Sequence, residues 1–361
     1  MSVSFFTSVR GLEADIVELR RGLQRVDQRD ALVAELEAEI RERTGARHSI
    51  ACNSGTDALI ALLIAAGVEP GDEVIVPAYS FFASASCVVH AGGVPVFVDI
   101  DPDSYAATVS AIEEAITPRT RAVLLVHLFH TMADVVAVAD LCATRDLVLV
   151  EDSAEAIGMR RAGVHAGLFG AGGALSFFPT KTWGGVGDGG AVLTDDAGIA
   201  RRARDAVEGR GPAPWTSRMD ALQAAVLLAR SHRLDSEIDR RRQLAERYTE
   251  RLGSVPHVKT PASPLPGPGD SSVWYVYLIE SDRRDELVDA LAAAEVGTEI
   301  YYPRAIPDQP CFRGPDSPEF PVARRAATRA LGLPLYADMD SSDVDTVCQV
   351  IRATMQGEAG R

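Results

Sequence analysis

Lys181 is the residue in this chain best placed to do covalent chemistry. It sits in Ala174-Leu175-Ser176-Phe177-Phe178-Pro179-Thr180-Lys181-Thr182-Trp183-Gly184-Gly185, a run otherwise apolar, small or aromatic, in a chain whose 36 Lys and Arg residues are nearly all Arg. In a poorly solvated pocket the ammonium form of lysine is disfavoured, and the neutral amine can attack a carbonyl. Read alone, the stretch equally fits a surface lysine that snorkels just past a strand. Two upstream features bear on the choice. Val148-Leu149-Val150-Glu151-Asp152 is an apolar run closed by carboxylates, and Asn53-Ser54-Gly55-Thr56-Asp57 stands before an apolar helical pattern. A carboxylate at the end of a buried strand is costly without a partner. Free N–H groups at a helix start bind phosphate, Gly55 permits close approach, and Ser54 and Thr56 add hydroxyl donors. An amine, a carboxylate and a phosphate cup are the three fixtures of a pyridoxal phosphate site. Each also has a plainer reading: Ser54 as a helix N-cap, and Asp152 or Glu151 as a cap or solvent-facing strand end.

The elements that must position these residues follow from hydrophobic periodicity. Leu12, Ile16, Leu19 and Leu23, then Leu32, Leu36 and Ile40, predict one or two helices over residues 12–43, ended by Gly45. Seven strand-like runs follow: Ser49–Cys52, Val74–Pro77, Val94–Ile100, Ala122–Leu128, Leu147–Glu151, Ala174–Phe178 and Ala191–Thr194. They are too continuously apolar for a half-exposed sheet, and they alternate with helical patterns at Asp57–Ala66, Ser80–Ala91, Val109–Ala115 and Ala133–Thr144. That combination predicts an α/β fold, a mostly parallel seven-stranded sheet between helices. Beyond an arginine-rich helical stretch, Pro256 to Ser272 is dense in Pro, Gly and Ser and reads as a linker. A strand (Val273–Ile279), a helix (Asp282–Ala294), a strand (Gly297–Tyr302) and two further helices then predict a smaller α/β unit. We expect a large domain over 1–250 and a small one over 251–361.

Bulk properties narrow the class. A chain of 361 residues suits two domains sharing one site. A net charge of −15 argues against nucleic acid or anionic membrane as partner, though a local arginine cluster would still accept a small anion. Five widely spaced cysteines fit neither a disulfide framework nor a zinc site. With no signal-like start and no apolar stretch long enough to span a bilayer, a cytoplasmic location is expected.

Several stretches, in order, resemble the DegT/DnrJ/EryC1/StrS family of pyridoxal phosphate-dependent sugar aminotransferases. They include Ser54-Gly55-Thr56-Asp57-Ala58-Leu59, Pro70-Gly71-Asp72-Glu73-Val74-Ile75-Val76-Pro77, Glu151-Asp152-Ser153-Ala154, Ser176-Phe177-Phe178-Pro179-Thr180-Lys181 and Gly187-Asp188-Gly189-Gly190-Ala191-Val192. The resemblance implies the fold-type I aminotransferase architecture and Lys181 carrying the cofactor as a Schiff base. It implies Asp152 on the pyridine nitrogen, and Ser54, Gly55, Thr56 and Ser176 at the phosphate. Phe81 would stack on the ring, and Glu155 would stand near the phenolic oxygen, where relatives commonly carry Gln or His. Thr216 would reach a partner subunit's phosphate in place of Asn. Arg210, Arg218, Tyr301 and Arg304 would contact substrate. The implied reaction moves an amino group from L-glutamate, through pyridoxamine phosphate, to a keto-deoxysugar linked to a nucleotide, dTDP in the first instance. The implied assembly is a homodimer with shared sites. His130, Trp183, Thr216, Tyr301 and Pro307 depart from the family's pattern. They leave open a cyclitol or another non-nucleotide ketone as substrate, and a non-catalytic regulatory or scaffold role is the alternative of another class.

Overall fold

The computed structural model describes residues 2–6, 15–210, 215–262, 267–314 and 318–357. The seven-stranded sheet is present. Its strands are β1 (His48–Cys52), β2 (Glu73–Pro77), β3 (Val94–Val98), β4 (Thr120–Val126), β5 (Val148–Asp152), β6 (Gly172–Ser176) and β7 (Gly190–Thr194), in the order β1-β7-β6-β5-β4-β2-β3. β7 runs antiparallel to both its neighbours, and the other pairs are parallel. Successive side chains point to opposite faces. Val74, Val76, Leu124, Val150 and Ala174 therefore join one core, while Ile75, Val123, Leu125, Leu149 and Leu175 turn to the other side. Both faces are covered, which is why the strands read as unbroken apolar runs.

The helices supply the covers. α1 (Ile16–Leu23) and α2 (Arg29–Thr44) form the N-terminal pair, with Gly45 ending α2 at φ +83°; Leu12 lies outside the described residues. α3 (Gly55–Ala65) buries Leu59, Leu62 and Leu63, being enclosed between the sheet, α4 (Ala83–His90) and a later helix over Ala197–Val207. α5 (Val109–Ala115) and α6 (Val135–Thr144) cover the opposite face. α7 (Ala197–Val207) shows Arg201 and Arg202 to solvent and buries Ile199, Ala203 and Ala206, the pattern of a helix lying on a core. α8 (Ala221–Ser231) packs on α1 and α2.

The C-terminal part differs from expectation in detail. α9 (Leu234–Leu252) runs straight through residue 250, and its Leu244, Tyr248 and Leu252 belong to the second core with Leu287, Val347 and Ile351. The chain thus passes between the two cores along a continuous helix. Within this unit β8 (Tyr277–Glu280) pairs antiparallel with β9 (Ala330–Leu333), flanked by α10 (Arg284–Ala293), α11 (Pro321–Arg329) and α12 (Ser341–Gln356). The predicted strand Gly297–Tyr302 is not formed: only Glu299 bridges Gly332, and Tyr302 turns to φ +51° before Pro303. Nor is Pro256–Ser272 a free linker, since Lys259 pairs with Glu280 and Ser271 with Arg160; residues 263–266 lie outside the described ones. Among the described residues, no helix is long and apolar enough to cross a membrane.

Candidate active site

The parallel strands β2, β4, β5 and β6 end on one side of a cavity of about 540 Å³, where ligands bind in open α/β sheets. Asp152 closes β5 there. It is 5% exposed, and its Oδ2 accepts a hydrogen bond from Ser84 Oγ at 2.8 Å, while Oδ1 accepts from the Ala154 N–H at 3.2 Å. Ser84 in turn meets Ser80 Oγ at 2.8 Å. Burial pushes the Asp152 carboxyl above its ordinary range, and the Ser84 and Ala154 bonds with the nearby Lys181 charge act against that. Glu151 is no cap or solvent-facing strand end. It is fully buried and accepts from the N–H groups of Gly167, Phe169 and Gly170 and from His127 Nε2, at 2.7–3.2 Å. His127 Nδ1 accepts from the Ala133 N–H, so this histidine is a satisfied core residue.

Lys181 follows β6 in a turn closed by its own N–H on the Phe178 carbonyl. Its amine does not sit in an apolar pocket that would keep it neutral. Nζ is 3.2 Å from Glu155 Oε1 and 4.3 Å from the ring centroid of Tyr275. Burial disfavours the charge, but Glu155 and the neighbouring groups more than offset it, and the amine's pKa is pushed up to about 12. Glu155 Oε2 accepts from the Phe129 N–H at 2.8 Å, and Tyr302 Oη donates to Oε1 at 3.4 Å. Tyr275 Oη lies 3.1 Å from Thr180 Oγ1.

The helix start faces the same cavity. Ser54 caps α3 by accepting the Asp57 N–H at 3.0 Å, so the N-cap reading holds for its side chain. The Gly55 and Thr56 amides, which have no intrahelical acceptor, remain at the cavity wall. Ser176 stands beside them: a Cβ on Gly55 would be 2.9 Å from Ser176 Cβ and 3.2 Å from its Oγ, and so would fill the cup. Amide donors, two more hydroxyls, a buried carboxylate and an amine in one cavity fit pyridoxal phosphate.

Phe81 lies at the mouth, 60% exposed, with its ring 6.5 Å from that of Tyr302. Tyr301 lines the wall, edge-on to Phe129 at 5.7 Å. Four expected contributors lie outside this chain's own cavity. Arg210 pairs with Asp205 and Glu208, Arg218 with Asp30, Thr216 is exposed on a bridge to Glu208, and Arg304 is exposed outside the cavity. Arg210 precedes, and Thr216 and Arg218 follow, residues 211–214, which lie outside the described ones. Pro307 is buried in a 3₁₀ turn, Trp183 donates to the Leu227 carbonyl, and His130 stacks on Trp274 with centroids 4.3 Å apart. Sequence reasoning missed Ser84, Tyr275 and Tyr302, and gave no role to Gly190 within its glycine-rich stretch. Of the three missed, only Ser84 carried a signal, standing one helical turn after Ser80.

Comparison with known proteins gives consistent results. The sequence model of the DegT/DnrJ/EryC1/StrS aminotransferase family matches residues 19–352. The chain is 38% identical to the UDP-N-acetyl-3-dehydro-alpha-D-glucosamine 3-aminotransferase of Acidithiobacillus ferrooxidans, covering 89% of this chain and 88% of that protein. It is 36% identical to the dTDP-3-amino-3,4,6-trideoxy-alpha-D-glucose transaminase of Streptomyces venezuelae, over 88% and 85% of the two. Its fold matches the crystal structure of S. venezuelae DesV in complex with a ketimine intermediate. The TM-score is 0.92 at 34% identity, over 98% of this chain and 99% of that one.

Proposed function

The chain belongs to the DegT/DnrJ/EryC1/StrS aminotransferase family, and from that premise we propose that it transfers an amino group from L-glutamate to a keto-deoxysugar linked to a nucleoside diphosphate. The observation that carries this reading is the meeting of the Lys181 amine, the Asp152 carboxylate and the α3 N-terminus in one 540 Å³ cavity. Pyridoxal phosphate, the cofactor the family implies, supplies when bound an aldehyde that carries nitrogen and a ring that takes up an electron pair. The Gly55 and Thr56 amides with Ser176 would hold the phosphate, and Asp152 would keep a proton on the ring nitrogen. Lys181 would be the covalent anchor and, once free, would carry a proton at Nζ. Tyr275, Tyr301 and Tyr302 reduce the water around that amine. Relatives named for UDP- and dTDP-linked sugars support a nucleotide-linked substrate, and we take a dTDP-linked ketone as the first to try.

The cavity also supports a homodimer. Its described lining holds Asp152, Glu155, Asp188 and Glu299 but, apart from Lys181, no lysine or arginine. A diphosphate in such a place needs positive charge from elsewhere, and a two-fold partner presenting the segment from Arg210 to Arg218 would supply it.

The test is spectroscopic and analytical. Protein loaded with pyridoxal phosphate should change its cofactor absorbance on adding L-glutamate and release 2-oxoglutarate. It should then aminate one member of a panel of nucleotide-linked keto-sugars, and Lys181→Ala should do neither. A loaded protein whose spectrum ignores amino donors would refute the enzyme reading, and turnover of inososes alone would refute the sugar.

A further inference from the structure

The ion pair between Lys181 and Glu155 has no part in the proposed chemistry, yet the fold holds it in place. We propose that Glu155 is a built-in counter-ion for Lys181, a positioning residue that stabilises the free, charged lysine and so opposes its covalent attachment to an aldehyde at neutral pH. Glu155 is 6% exposed, and three donors converge on it: Lys181 Nζ at 3.2 Å, the Phe129 N–H at 2.8 Å and Tyr302 Oη at 3.4 Å. Both donors besides the lysine come from non-glycine residues in left-handed backbone, Phe129 at φ +64° and Tyr302 at φ +51°. Such conformations are costly for residues with a Cβ and persist where the surroundings over-determine them. Here two of them aim hydrogen bonds at one carboxylate. The Tyr275 ring also faces the amine, with its centroid 4.3 Å away, an arrangement that favours the ammonium.

The other groups facing Nζ do not take over this role. Asp152, at the end of β5, is occupied by Ser84 and Ala154, makes no hydrogen bond to the amine, and favours its charge less than Glu155 does. The Tyr302 phenol is held neutral by burial, the Tyr275 hydroxyl is engaged with Thr180, and His127 is tied to Glu151. Asp188 lines the cavity, while the ion pair of the amine is with Glu155. Covalent attachment therefore has a defined cost. The ammonium gives one proton to solvent, its lone pair bonds to the aldehyde carbon, and the carbonyl oxygen leaves as water. Glu155 is left without its partner in a site of low dielectric, where unpaired charge is expensive. The functional meaning rests on Lys181 being the covalent anchor, but the charge pairing is testable on the cofactor-free chain.

The chain contains two lysines, Lys181 and Lys259, so trace acetylation by acetic anhydride with mass-spectrometric readout can follow Lys181 with Lys259 as internal reference. Lys259 is exposed beside Asp103, far from this pair in its contacts. Labelling of wild type, Glu155→Gln, Glu155→Asp and Tyr302→Phe from about pH 7 to about pH 11, where the rate rises about tenfold per pH unit below the midpoint, ranks the Lys181 midpoints although that of wild type lies at about 12. In Glu155→Gln the midpoint should fall by more than roughly one pH unit, about a tenfold rise in labelling at a fixed lower pH. Glu155→Asp should stay near wild type and Tyr302→Phe should shift part of the way, while Lys259 stays constant. Borohydride trapping of pyridoxal phosphate on Lys181 at neutral pH should be faster in Glu155→Gln by a similar factor. Melting curves check that each variant is folded, and Tyr302→Phe keeps the test open if Glu155→Gln is not. An unchanged Lys181 midpoint in folded Glu155→Gln, or slower trapping, would overturn the proposal. A shifted midpoint with no trapping on Lys181 would support the counter-ion and refute the cofactor role assigned to the lysine.

Discussion

Gly190, the first residue of β7, lies against the back of Ser54: a Cβ there would stand 2.4 Å from the Ser54 carbonyl carbon and oxygen and 2.5 Å from the Gly55 nitrogen. The one reversed strand of the sheet therefore runs directly beneath the helix start that forms the phosphate cup. All three atoms are backbone, so no side chain can swing away to relieve the clash. Gly190→Ala should displace the Ser54–Gly55 peptide, cost about 1–3 kcal/mol as overpacking does, and weaken binding of pyridoxal phosphate. Thermal melting with a cofactor titration measures both, and an unchanged melting temperature with unchanged affinity would remove Gly190 from this role.

Asp152→Asn should leave the fold intact, because an amide is nearly the same size and its oxygen can still accept from Ser84. Turnover should fall by two or more orders of magnitude, about 3 kcal/mol in the barrier, since a neutral amide cannot hold the ring proton. Steady-state kinetics at saturating donor, alongside circular dichroism, decides. Near-normal rates would make Asp152 a structural cap.

Acid should destabilise the protein through its buried histidines. Burial lowers His130 to about 4 and His165 to about 3, against an ordinary value of about 6.5. Their contribution to stability is complete above pH of about 6.5. Below it the unfolded chain takes up protons that the native chain refuses, so stability falls until the folded values are reached. For His130 the full loss is of order 3 kcal/mol. His130→Phe keeps the stack on Trp274 and removes the titration. Its melting temperature should drop less than wild type's between about pH 7 and about pH 5. Equal drops would show that His130 is not a source of the acid sensitivity.

Subunit mixing tests the shared site. Arg218 pairs with Asp30 in its own chain and stays away from the cavity that chain builds, so any catalytic use of it must be in a neighbour. Lys181→Ala and Arg218→Ala should each be inactive alone. After subunit exchange a fraction of the activity should return, because some mixed dimers hold one site with both residues intact. No recovery despite demonstrated exchange, or a fully active monomer by light scattering, would sink the arrangement.

The sequence by itself determined the layered α/β architecture, because strands covered on both faces must be apolar through their middle, as residues 74–76 of β2, 122–126 of β4 and 148–150 of β5 are. It also marked Lys181, Asp152 and the Ser54–Thr56 turn, since an amine, a carboxylate and a polar helix start are conspicuous in apolar surroundings. Only the tertiary structure decided the charge on Lys181. The local sequence is apolar, but Glu155, 26 positions away, arrives beside the amine from the loop after β5, and Tyr275 from the chain entering the small unit. The fate of Glu151 was settled the same way, by three amides between Gly167 and Gly170 that fold back over it. Residues 297–302 read as a strand from their composition, yet a strand needs a neighbour that continues to pair. Gly332 offers a single bridge there, while β9 spends its ladder on β8. Charge state, partner choice and pairing depend on which groups meet across long stretches of chain, and periodicity along the chain carries no record of those meetings.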